Sequence, residues 1–330
     1  MIRAVFGKLC VRSIAAVLVL SLPISAFAQS APREKPLAPL RTAKAALVPF
    51  DTSAFPYRGS IPADGKPFLD VEKAGRLGHT SPRGGIYWED QTYNDRRSLL
   101  YIPKGFDLRK PALIVVYFHG NLATLERDVQ ARQQIPRQLG QSGINAVLVA
   151  PQLAVDALDS SAGRFWETGF FAQFLSEAEK HLTRLYGDER ARTIFGKMPV
   201  AVVAYSGGYM PAIFSIQEGG VENRLQGVIL MDALFGELDK FTAWLESRPP
   251  AFFFSAFTSA ARNENLELQR LLSERKIAFE NTTNPRLRPG DISFLATGSG
   301  ATHLEFMSRA WVSDPLKTLL ARIKGFARGR

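Results

Sequence analysis

Pro199-Val-Ala-Val-Val-Ala-Tyr-Ser-Gly-Gly208 decides how this chain is read. Its first six residues form a short apolar run rich in valine, which fits a β-strand buried on both faces. The residues from 209 to about 217 read as a helix. Strand therefore passes into helix across Tyr205-Ser206-Gly207-Gly208. Two backbones cross closely at such a turn, so small residues are needed there. Ala204, Gly207 and Gly208 meet that need. A serine in this position is held on a sharp bend with its hydroxyl above the sheet edge. A small-residue turn without chemistry is the alternative reading.

Similar apolar runs recur on both sides. Ala112-Leu-Ile-Val-Val-Tyr-Phe118 and Ile144-Asn-Ala-Val-Leu-Val-Ala150 precede it; residues 227–231, 251–257 and 292–296 follow. Helical spacing separates them, over 122–139, over 170–185, from about 238, from about 265 and near the C-terminus. Strand alternates with helix, so the expected class is α/β, a doubly wound, mostly parallel sheet with helices on both faces. Ligands of such sheets bind at the carboxyl ends of the strands. Before this region, Ile86-Tyr-Trp-Glu89 and Ser98-Leu-Leu-Tyr-Ile102 read as two strands around an Asn94-Asp95 turn. Residues 29–65, rich in Pro, Ala, Ser and Lys without a clean period, read as an extended arm or linker. Residues 66–330 are then the catalytic domain.

The candidate residues cluster at strand ends. Ser206 is the candidate nucleophile. Phe118-His119-Gly120-Asn121 ends an earlier strand, and the backbone N–H groups of Asn121 and Gly207 are candidate oxyanion donors. His119 itself reads as loop scaffold. Of the four histidines, His79 lies in an early loop and His181 in a polar helix, whereas His303 follows the final strand, where a general base is expected. For the acid, Asp232 directly ends the 227–231 strand. Glu264, after the next strand, is the alternative and equally suits the first turn of a helix. Phe165-Trp166 and Phe170-Phe171 read either as an apolar acyl pocket or as ordinary core, with core preferred.

Taken together, the His119-Gly120-Asn121 loop, Tyr205-Ser206-Gly207-Gly208 and His303 resemble the α/β-hydrolase superfamily over residues 85–325. Ala204 stands where that family usually has the first glycine of its serine motif. The resemblance implies acyl-transfer chemistry: a serine hydrolase, esterase-like, cleaving a carboxylic ester through a Ser-His-Asp triad. A peptidase or amidase, and a binding protein that keeps the fold without catalysis, are the rivals. No metal or organic cofactor is called for.

Composition is consistent with this. The chain has 330 residues, 46% hydrophobic, enough for a large core. Arg3, Lys8 and Arg12 precede an apolar stretch too short to span a bilayer comfortably, and Ala26-Phe27-Ala28 follows. Residues 1–28 thus read as a secretory signal peptide, with export to the periplasm or beyond. Cys10 lies before the apolar core, so it is no lipid-attachment site, and no cysteine remains in the mature chain. Cleavage lowers the net charge from +10 to +7. The remaining charge is scattered, apart from Arg322, Lys324, Arg328 and Arg330. That tail reads as a solvated end, with weak attraction to an acidic envelope surface second. The expected partner is a small acyl substrate. Nucleic acid is not expected, nor an integral membrane segment after signal removal.

Overall fold

Side chains of the strand Val200–Tyr205 divide between two cores. Val200, Val202 and Ala204 enter one, while Ala201, Val203 and Tyr205 enter the other. A central sheet covered on both faces produces this two-residue alternation of wholly apolar positions. The structure is a computed structural model that describes residues 37–247 and 249–328.

In chain order the strands are β1 (Lys44–Pro49), β2 (Val71–Lys73), β3 (Arg76–Thr80), β4 (Ile86–Trp88), β5 (Arg97–Ile102), β6 (Leu113–Phe118), β7 (Ala146–Pro151), β8 (Val200–Tyr205), β9 (Leu225–Met231), β10 (Phe252–Phe257), β11 (Glu280–Asn281) and β12 (Ile292–Ala296). Among the described residues, nine of them form one sheet in the order β1-β5-β7-β6-β8-β9-β10-β12-β11. The β1–β5 and β5–β7 pairs are antiparallel and the rest parallel. The class is α/β with a mostly parallel sheet. Strands β2, β3 and β4 make a small separate antiparallel sheet.

The helices are α1 (Glu89–Thr92), α2 (Ile135–Gln141), α3 (Phe170–Tyr186), α4 (Ala191–Phe195), α5 (Tyr209–Gln217), α6 (Leu238–Glu246), α7 (Arg262–Glu274) and α8 (Pro315–Leu320). Helices α3 to α7 pack on one face, and α2, α8 and a π-helical segment Leu125–Arg132 on the other. The connection leaving β6 therefore crosses one face, and the connection leaving its neighbour β8 crosses the opposite face. Where adjacent strands send their chains to opposite faces, a crevice opens at their carboxyl ends. Asn121 and Ser206 border that crevice. No helix among the described residues is long and apolar enough to cross a membrane.

Four expectations change. Residues 37–65 are not an arm: β1 pairs with β5 over six positions, and Phe50, Ala54 and Phe55 are fully buried. The stretches 86–89 and 98–102 do not form a hairpin, because β4 belongs to the small sheet and α1 intervenes. The 122–139 helix is broken, since Gln134 turns left-handed (φ 51°) and Pro136 starts α2 anew. Nor is the basic tail a free end. Arg328 donates to the carbonyls of Lys104 (2.8 Å) and Gly140, and Arg322 donates to Asn284. Charge counting cannot see carbonyls that receive the charge. Residues 1–28 with Cys10, and Arg330, lie outside the described residues.

Candidate active site

Ser206 is the first residue after β8 and adopts φ 52°, a left-handed conformation that costs a non-glycine residue about 1–2 kcal/mol. Its neighbours make the bend possible. A methyl group on Gly208 would sit 2.4 Å from the Phe118 carbonyl oxygen. One on Gly207 would meet the Asn121 side-chain oxygen at 2.1 Å, and one on Gly120 would meet Ser206 Cβ at 2.6 Å. The loop after β6 and the bend after β8 thus interlock through three glycines, which explains their concentration in the sequence. Ala204 is fully buried in the core, where its methyl fits.

The structure brings Ser206, His303 and Asp232 into contact. Ser206 Oγ donates to His303 Nε2 at 2.8 Å, and His303 Nδ1 donates to Asp232 Oδ2 at 2.7 Å. Asp232 follows β9 with φ 47°, which aspartate tolerates better than most side chains. It is fully buried, and Thr258 at the end of β10 supplies its remaining donors. The Thr258 N–H reaches Oδ1 at 2.8 Å and its hydroxyl reaches Oδ2 at 2.7 Å. With His303 Nδ1, three donors therefore converge on this carboxylate and fix its orientation toward the imidazole. Glu264 lies in the first turn of α7, near enough to Tyr209 to help raise that phenol's pKa behind the larger effect of burial.

His303 is held by more than its two ring nitrogens. The Tyr205 hydroxyl donates to the His303 carbonyl at 2.7 Å, and the two rings stack at 5.3 Å. Burial pushes the Tyr205 phenol up to about 12, so this tether persists through ordinary alkaline pH. Phe235 packs edge-on against the imidazole at 5.7 Å. Sequence reasoning missed Thr258, the Tyr205 hydroxyl and Phe235, because each acts only after strands distant in sequence become neighbours.

Asn121 is fixed by its side chain, whose oxygen accepts from the Ser160 hydroxyl at 3.2 Å. Its backbone N–H has no acceptor among the described residues. Gly207 lies in the first turn of a helix, where N–H groups lack intrahelical partners. His119 is scaffold. It donates from Nδ1 to the Gly120 carbonyl at 2.8 Å and accepts at Nε2 from the Leu153 N–H at 2.9 Å. Phe165, Phe170 and Phe171 are buried core: Phe165 packs on both of the others, Phe165 and Phe171 pack on Phe118, and none of the three lines the cleft at Ser206.

Burial lowers the pKa of His119 below the ordinary imidazole value. The unfolded chain therefore binds this proton at higher pH than the folded chain. Its contribution to stability is full above about pH 6.5 and is lost as pH falls below that value. The melting temperature should fall between pH 7.5 and pH 5, and fall less in His119→Gln. Equal pH sensitivity in both proteins would contradict the buried neutral imidazole.

The order of these parts is diagnostic. A serine on a tight strand-to-helix bend, a carboxylate after the next strand and a histidine after the last parallel strand meet above one sheet, with a His-Gly loop from an earlier strand against the serine. The chain has the α/β-hydrolase fold.

No family model matches the chain, and no curated protein matches it in sequence. Solved structures with a similar hydrolase fold include a feruloyl esterase module from Clostridium thermocellum, at 12% identity over 90% of this chain and 99% of that one, with TM-score 0.45. An S-formylglutathione hydrolase from Agrobacterium tumefaciens is 12% identical over 77% of this chain and 98% of its own, with TM-score 0.43. A dienelactone hydrolase from Anabaena variabilis is 15% identical over 70% and 92%, with TM-score 0.41. At such identities the likeness extends to the fold and no further.

Proposed function

We propose that this chain is a serine esterase that works through an acyl-enzyme. The observation carrying the proposal is the unbroken hydrogen-bonded series Ser206–His303–Asp232, with the serine raised on a left-handed bend. His303 Nε2 takes the Ser206 proton as Oγ bonds to the ester carbonyl carbon. The backbone N–H groups of Asn121 and Gly207 receive the developing oxyanion. The imidazolium then hands its proton to the departing alcohol. Water, deprotonated by the same imidazole, releases the acid and restores Ser206. Asp232 fixes the tautomer that leaves Nε2 free to accept and stabilises the transient charge.

A binding protein on the same fold gains no support here, since a carboxylate does lie beside His303. The ester reading is tested with 4-nitrophenyl butyrate against the matching butyryl 4-nitroanilide. Turnover of the ester without measurable turnover of the anilide is expected. Comparable kcat/KM for both would move the assignment to an amidase or peptidase. Export is proposed on residues 1–28 alone.

A further inference from the structure

The crevice over Ser206 is a cleft of about 520 Å³ whose lining includes Leu122, Leu158, Leu304, Arg83, Arg127 and Arg132. Two observations set it apart. First, the three leucines are 49%, 40% and 67% exposed. They account for three of the five exposed large apolar side chains among the described residues. Apolar surface concentrated around one cleft marks a binding surface. Leu122 is even held at φ 54°, a strained conformation for a bulky residue, by its N–H bond to the Ala157 carbonyl at 2.9 Å.

Second, the three arginines are not equivalent. Arg127 is engaged by Asp128 and Asp156 at 2.8 and 2.6 Å, and Arg132 by Asp128 at 2.8 Å. Arg83 has no carboxylate and no side-chain hydrogen bond among the described residues. Its guanidinium lies over the Phe235 ring, 5.9 Å from the centroid, and Phe235 itself is 5.7 Å from His303. The free cation thus stands at most those two steps from the imidazole. Its place is built into the fold. The turn between β3 and β4 carries Arg83, with Gly84 and Gly85 both at positive φ. Ser81 Oγ donates to the Leu158 carbonyl at 2.6 Å, and the Leu158 N–H donates to the Tyr87 hydroxyl at 3.1 Å. The small sheet is therefore tied to the cleft wall on both sides of Arg83.

Resting on the esterase reading, we propose that the natural substrate is an amphipathic ester. Its apolar body lies on the leucines, and a carboxylate some distance from the scissile bond pairs with Arg83. Desolvation of the cleft by the substrate strengthens that pair beyond an open surface contact. Arg83 sets specificity and takes no part in the proton transfers.

Two matched pairs of esters test this, one for each side of the scissile bond. Mono-4-nitrophenyl suberate is compared with its methyl ester, and 4-acetoxyphenylacetic acid with its methyl ester. In at least one pair the acid should be preferred. In that pair, Arg83→Ala should lower the acid-to-methyl-ester ratio of kcat/KM by roughly fivefold or more, Arg83→Lys should retain part of it, and Arg83→Glu should invert it. The loss should fall on KM, because the contact is remote from the reacting atoms. The wild-type preference should shrink as salt is raised. Methyl esters turned over with no Arg83-dependent preference in either pair would overturn this proposal and leave the esterase reading intact. Failure of the wild type on every ester would overturn both.

Discussion

Ser206→Ala is expected to lower kcat/KM for a small ester by about 10⁴-fold or more while the protein stays folded. The size follows from removing the atom that forms the acyl bond. Survival of the fold follows from the bend. Serine and alanine both carry a Cβ, so both bear the same cost at φ 52°, and the interlocking glycines are untouched. The variant loses one hydrogen bond, to His303 Nε2, worth about 1 kcal/mol. Some rate above background should persist, since the N–H donors remain. An unchanged circular dichroism spectrum with near-parental turnover would reduce Ser206 to a turn residue and place the nucleophile elsewhere.

Asp232→Asn should be nearly as damaging, by about 10⁴-fold in kcat. In the wild type both carboxylate oxygens accept, Oδ1 from the Thr258 N–H and Oδ2 from His303 Nδ1 and the Thr258 hydroxyl. An asparagine keeps its oxygen for the Thr258 N–H and turns its NH₂ toward His303. Two donors then face each other unless the imidazole moves its proton to Nε2, where it can no longer accept from Ser206. Glu264→Gln changes only the first turn of α7 and should leave kcat within roughly twofold. Measuring both variants side by side decides the acid. Loss of hydrolysis in Glu264→Gln alone would transfer the role to Glu264.

The parts of the fold legible in the sequence were those fixed by local chemistry. Runs such as 112–118, 227–231 and 251–257 are apolar throughout because both sheet faces are covered, and strands lie there within two residues of their expected ends. The amino-terminal edge was not legible. Lys44-Ala-Ala-Leu-Val-Pro49 is only half buried and owes its conformation to β5, more than forty residues away. The three-residue strands of the small sheet are likewise too short to carry a period.

The site divides in the same way. Ser206 was legible because a bend this tight demands small neighbours, and they are adjacent in sequence. The choice between Asp232 and Glu264 was open because it depends on which loop reaches His303. Thr258 contributes to that outcome without any mark in its own segment. Arg83 gave no signal at all, since its significance comes from a hairpin tied to Leu158 and from having no ion-pair partner among the described residues.

Reaction of the wild-type protein with a fluorophosphonate probe, followed by mapping of the labelled peptide, identifies the nucleophile. Label at Ser206 in a single stoichiometric adduct, abolished by Ser206→Ala, is expected. Label on another residue, or none on folded protein, would contradict the assignment of Ser206 as the nucleophile.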